Sequence, residues 1–233
     1  LLPSILPLRA CRQITRPTRP VPSTTRAVRG AVGQQGPRPS HGQTRLAIRG
    51  ILPRRMNFLG HLLVSGHDPL VITGNFMADA VKGRDLSRFP EGVQRGIRLH
   101  RRIDTFTDQH DITLQGRERL RAHCGKFAGV ALDIFYDHCI ASSWAEVQPL
   151  PAFAQRMYAL LDANTHLMPE RTQRMLPYMI RGDWLTGYTT LDGIAGALSG
   201  LAHRVPNGSV LIGAERVLAA PRSLPVRTAS GFR

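Results

Sequence analysis

Between Val93 and Thr107 the residues Val93, Gly96, Ile97, His100, Ile103, Asp104 and Thr107 return at the spacing of one helix face. That face begins apolar and then carries an imidazole and a carboxylate four residues apart, so both project on the side that should be buried. Burying such groups is expensive unless something compensates them. The pattern recurs twice. In ALDIFYDHC, Asp133 and Asp137 sit four apart on a stripe with Val130 and Ile134, and His138 follows directly. In GNFMADAVKG, Asn75 and Asp79 sit four apart among Phe76, Met77, Ala80 and Val81. Three helices that each set a polar row into an apolar coat require a fold that brings those rows together.

The expected class is therefore all-α, a single-domain helical bundle. Further helices are predicted over about 127–147, 152–163 and 169–182, with a glycine-interrupted helical stretch from Trp184 to His203. Pro90 suits a first-turn position in the helix that carries His100. No run alternates as a strand bounded by hairpin turns.

Charge divides the chain. The formal net charge is +15, yet residues 1–55 hold eleven arginines and no acid, and residues 216–233 hold four more arginines and no acid. The segment between them is formally neutral, so the basic excess belongs to the two ends and is no argument for nucleic acid. Residues 1–55 are rich in Pro, Arg, Gly, Ser and Thr and are expected to be a disordered leader. A mitochondrial transit peptide has a similar composition. The preferred reading makes Met56 the true start and residues 1–55 translated upstream sequence. Residues 56–218 form the expected folded domain, and 219–233 an irregular tail of the kind a truncation or frameshift produces. The three cysteines form no CxxC pair and no even set, which fits a reducing compartment such as the cytoplasm. No apolar run reaches the roughly 18 residues of a membrane span.

A divalent metal held by His and Asp from facing helices is one physical solution for all three rows. The absence of cysteine ligands disfavours a structural zinc site. With an open position the metal would make hydroxide available near neutral pH and offset charge on a phosphoryl oxygen. Arg101 and Arg102 flank His100 and are candidates to clamp phosphate. Read this way the residues suggest a metal-dependent phosphohydrolase without naming its substrate. A phosphohydrolase of nucleotides or another small phosphodiester, or a non-catalytic helical binding protein, stays open at this point.

The motifs MNFLGHL at 56–62, GNFMADAVKG at 74–83, LHRRIDTFTD at 99–108 and LDIFYDH at 132–138 resemble the acyl carrier protein phosphodiesterases, in order and in spacing. Trp144, Trp184, Leu185, Tyr188 and Arg204 match more scattered positions of that family. The resemblance covers about residues 56–218. It implies an all-α fold of the divergent HD-domain kind. It also implies hydrolysis of the phosphodiester between 4′-phosphopantetheine and a serine of holo acyl carrier protein, with Mn2+ the usual metal and Mg2+ or Fe2+ as alternatives. The expected ligands are Asp79, His100, Asp137, His138 and His61. Asp104 and Asp133 are expected as ligand or general base, and Arg101 or Arg102 as phosphate contacts. Lys82, Arg84 and Arg88 are candidates to steer an acidic carrier protein. Neither nucleic acid nor membrane is expected as a partner. The segment after 218 departs from the family, whose members continue into a further helix.

Overall fold

The computed structural model describes residues 57–220, all of whose regular structure is helical. The readings of the leader, of Met56 and of the tail beyond Ala220 lie outside the described residues. In chain order the α-helices are α1 (Phe58–Leu63), α2 (Pro69–Met77), α3 (Glu91–Gln109), α4 (Asp111–Cys124), α5 (Ala128–Ser142), α6 (Leu150–Ala163), α7 (Glu170–Arg181), α8 (Trp184–Gly187), α9 (Leu191–Ala202) and α10 (Ala214–Ala219). A 3₁₀ turn, Ala78–Ala80, follows α2 directly. The all-α class expected from periodicity is the observed one.

Local chemistry sets the boundaries. The Asp68 carboxylate accepts hydrogen bonds from the amides of Leu70 (2.9 Å) and Val71 (3.4 Å), and Pro69 occupies the first turn, so α2 starts there. Pro90 lies just before α3 rather than within its first turn. The helix expected over 127–147 stops at Ser142, where the hydroxyls of Ser142 and Ser143 turn back onto the carbonyls of His138 and Cys139. The stretch expected from Trp184 to His203 divides into α8 and α9, because the Thr190 hydroxyl accepts from the Gly193 amide and starts a new helix. Helix α4 had no clear periodic signal, since only Thr113, Leu120 and Cys124 of its fourteen residues are buried.

One core runs through the bundle, with Leu59, Ile97, Leu120, Ile134, Leu161, Met179 and Leu185 wholly buried. Helices α2 and α3 come very close where they cross. A Cβ at Gly74 would lie 2.2 Å from the Val93 carbonyl oxygen, and one at Gly96 would lie 2.2 Å from that of Val71. Only glycine permits backbones this close. The crossing sets Asn75, one residue beyond Gly74, against His100, one turn beyond Gly96.

Candidate metal centre

Asn75 organises the site. It is wholly buried, and its amide Nδ2 donates to the His61 carbonyl oxygen (3.0 Å) and to Ser65 Oγ (2.8 Å). Ser65 in turn donates to the same His61 carbonyl (2.7 Å), so its oxygen is free to accept from Asn75. With its nitrogen so committed, Asn75 must present Oδ1 to the two imidazoles. His61 Nδ1 stands 2.8 Å from that oxygen and His100 Nδ1 stands 3.1 Å from it. Both rings therefore carry a proton on Nδ1, and in their neutral forms both hold a lone pair on Nε2.

Those two Nε2 atoms face carboxylates. His61 Nε2 lies 3.2 Å from Asp104 Oδ1, and His100 Nε2 lies 3.4 Å from Asp104 Oδ2 and 3.4 Å from Asp79 Oδ1. The rings stack with centroids 4.0 Å apart. Neither Nε2 finds a hydrogen-bond partner of good geometry, although both are buried. A lone pair aimed at a carboxylate is unfavourable unless a proton or a cation stands between them. One ligand atom each from His61, His100 and Asp104 lies within 4.8 Å of the others, an arrangement able to hold a metal ion. This set of two imidazoles and a carboxylate suits a divalent cation. The orphaned Nε2 atoms, with both Nδ1 atoms anchored on one amide oxygen, are what metal-binding histidines require.

Burial and the carboxylates pull the two imidazoles in opposite directions. Burial lowers the pKa of His100, but Asp104 and Asp79 outweigh it and raise the imidazole to about 9. Burial lowers His61, an effect only partly opposed by Asp104. Burial would raise Asp104, but the two imidazoles win and hold its carboxyl well below the usual range. Asp79 and Asp104 are partly exposed whereas the histidines are buried, so the site opens to solvent on its carboxylate side.

Of the residues singled out in the sequence, His61, His100, Asp104 and Asp79 are thus gathered in one place. The others have different neighbours. The Asp137 carboxylate accepts from the amides of Leu59 (3.0 Å) and Gly60 (2.9 Å), in the first turn of the helix that carries His61. Burial raises its pKa far above the ordinary value against the pull of those amides, and nearby Asp133 raises it further. Asp133 is buried on the same helix. His138 Nδ1 donates to the Tyr188 carbonyl oxygen (2.8 Å). Arg101 donates to the carbonyls of Val81 (3.2 Å) and Gly83 (2.8 Å), tying the segment after Asp79 to α3. Arg102, Lys82, Arg84 and Arg88 are exposed. Asn75 was visible in the sequence only as a member of a polar row, and nothing there marked it as the group shared by two histidines.

The family model for acyl carrier protein phosphodiesterase matches residues 56–223. This chain belongs to that family. The acyl carrier protein phosphodiesterase of Photorhabdus laumondii is 35% identical over 161 residues, which are 68% of this chain and 81% of the relative. Its namesake in Yersinia pestis is 32% identical over 161 residues, 68% of this chain and 83% of the relative. That of Salmonella agona is 32% identical over 154 residues, 65% and 80% respectively. No solved structure matches the chain. Among the described residues, no helix is long and apolar enough to cross a membrane.

Proposed function

We propose that this chain is a metal-dependent phosphodiesterase that hydrolyses the bond between 4′-phosphopantetheine and the serine of holo acyl carrier protein. The products are apo acyl carrier protein and 4′-phosphopantetheine. The observation that carries the reading is the pair of buried Nε2 lone pairs facing Asp104, in a member of the acyl carrier protein phosphodiesterase family. His61, His100 and Asp104 would hold the metal, with Mn2+ the ion proposed and Asp79 beside His100. When bound, such an ion makes a water nucleophilic near neutral pH and offsets charge on the phosphoryl oxygens.

The chain's own groups supply the rest. Asn75 holds both imidazoles in the one tautomer that leaves Nε2 unprotonated. Asp79, 3.4 Å from His100 Nε2 and partly exposed, is proposed to accept the proton of the attacking water. Attack at phosphorus breaks the bond to the serine oxygen, which leaves with the proton that Asp79 took from the water. Arg101 fixes the segment that carries Asp79, and exposed Arg102 is available to the phosphate. Lys82, Arg84 and Arg88 follow Asp79 on an exposed loop and offer a basic surface to an acidic carrier protein. The proposed setting is the cytoplasm. Asp133, Asp137 and His138 are assigned to support of the helices around the site rather than to the metal, a proposal resting on their backbone partners and burial.

The test is intact-mass analysis of holo acyl carrier protein incubated with the enzyme, with manganese and with chelator. Metal-dependent loss of the phosphopantetheine mass is the expected result. No loss, from folded protein that holds manganese, would refute the substrate.

A further inference from the structure

Charge within the bundle is sorted rather than mixed. Residues 82–102 hold seven Lys and Arg against two acids, whereas the rest of the described residues hold ten against fourteen. The basic residues of this stretch sit on two elements, the segment 81–89 and α3, and Lys82, Arg84, Arg88, Arg95, Arg98 and Arg102 are all exposed. Asp68 takes Arg95 in an ion pair at 2.8 Å. Among the described residues no acid forms an ion pair with Lys82, Arg84, Arg88, Arg98 or Arg102. A run of charge on one helix is ordinarily a solvated face. This surface differs in how firmly its second element is held.

The segment 81–89 is pinned to the bundle at several points. Val81 and Leu86 are buried, and the Phe89 amide donates to the Leu86 carbonyl oxygen (3.0 Å). Side chains of α3 hold its backbone from the other side. Gln94 Nε2 donates to the Phe89 carbonyl oxygen (2.9 Å), and Arg101 donates to those of Val81 (3.2 Å) and Gly83 (2.8 Å). Gln94, Arg98 and Arg101 follow one another at i, i+4 and i+7 on one face of the helix. Arg98, which donates to Gln94 Oε1 (2.8 Å), therefore lies between the two tethers. The exposed cations of the segment and of Arg98 share one surface, fixed before any partner arrives, which lowers the ordering cost of binding. That surface starts at the metal centre. Asp79, 3.4 Å from His100 Nε2, precedes Lys82 by three residues, and Arg101 follows His100 directly.

We infer that the surface formed by the segment 81–89 and the Arg98 side of α3 is the docking face for a protein that presents carboxylates around its modified serine, with Arg98 at the middle of that face. The inference rests on the proposed function, which puts the reacting ester on a protein, and adds to it a second element and a fixed geometry. Fixed cations facing carboxylates speed encounter and set the partner's register more than they add affinity. Nucleic acid would also be drawn to such a face. A partner docked beside Asp79 brings its own ester to the reacting centre, and that placement serves a protein substrate alone.

Fluorescence anisotropy of labelled apo acyl carrier protein, which lacks the pantetheine arm, titrated with the manganese-loaded full chain tests this. Wild-type binding is expected to weaken several-fold between about 15 and 150 mM NaCl, as the Debye length falls to about 8 Å. Arg84→Glu combined with Arg98→Glu, both at exposed positions, is expected to weaken binding roughly tenfold at the lower salt and to flatten the salt response. Arg121→Glu combined with Arg216→Glu makes the same charge change on α4 and α10 and is expected to shift binding less than about twofold. Wild type without salt-sensitive binding, an equal loss in the α4 and α10 variant, or wild-type binding by the Arg84 and Arg98 variant would each overturn the assignment. So would a larger loss of affinity by that variant for a single-stranded oligonucleotide than for the carrier protein, which would give the face to nucleic acid. The two proposals fail separately. Wild type that binds as expected yet releases nothing from holo carrier protein refutes the reaction and keeps the docking face. Hydrolysis of holo carrier protein with the same KM by wild type and by the Arg84 and Arg98 variant refutes the face and keeps the reaction.

Discussion

Replacing Asn75 with alanine should damage both the fold and the metal site. The side chain makes four buried hydrogen bonds, to His61 Nδ1, His100 Nδ1, the His61 carbonyl and Ser65 Oγ. The His61 carbonyl keeps its bond from Ser65, so that loss is small. The two imidazole N–H groups are left without an acceptor around a wholly buried position, at about 1–3 kcal/mol each. The expected destabilisation is about 3–5 kcal/mol, a large share of the typical 5–15 kcal/mol of a domain. Urea unfolding in chelator measures it. Loss of the tautomer lock should also lower manganese affinity by about 10–100-fold, the usual effect of removing a group that orients a ligand. Asn75→Asp keeps an acceptor for both Nδ1 protons and gives up only the donor side, so it should retain more affinity than alanine. Unfolding of Asn75→Ala within about 0.5 kcal/mol of wild type, with an unchanged manganese titration, would refute the hub role.

Other substitutions probe the surrounding frame. In Gly96→Ala the new Cβ would sit 2.2 Å from the Val71 carbonyl oxygen and 2.7 Å from the Asn75 amide nitrogen. The two helices must then separate, at a cost of about 3 kcal/mol, visible as a lowered melting temperature, and Asn75 moves away from His100. Arg101→Ala frees the 81–83 segment and should weaken manganese binding several-fold for only about 1–2 kcal/mol of stability; metal titration beside urea unfolding separates the two effects. Asp137→Asn gives a pH signature. Native Asp137 holds its proton more tightly than the unfolded chain, so wild type loses stability as pH rises above about 4, the ordinary carboxyl range, where only the unfolded chain ionises freely. The asparagine variant does not titrate and forfeits one amide bond. It should be about 1 kcal/mol less stable at pH 4 and gain on wild type up to pH 8. A stability difference that stays constant over that range, or loss of manganese by the variant, would show that Asp137 does something other than hold α1.

Helical class was legible in the sequence because an apolar stripe at the 3.6-residue period leaves few alternatives, and the helices around 93–107 and 152–163 follow directly from it. Boundaries were less so. They depend on single hydroxyls, such as Thr190 on Gly193 and Ser142 on His138, that compete with the helix only once it exists. The polar rows show the deeper limit. His100 with Asp104 and Asp133 with Asp137 have the same spacing, the same apolar setting and the same residue class at the second position. One row faces Asn75 across the Gly74–Gly96 crossing and His61 on α1, and the other faces two backbone amides at the start of α1. Spacing reports that a buried carboxylate needs a partner and is silent on whether that partner is a side chain or a main-chain N–H. The glycines carried the missing information. Gly74 precedes Asn75 by one residue and Gly96 precedes His100 by one turn, so the two positions that let the helices touch also stand beside the two groups that meet. Glycines in step with polar residues on two helices mark the rows that share a site here, whereas Gly129, on the helix of the Asp133–Asp137 row, meets only the Arg117 side chain.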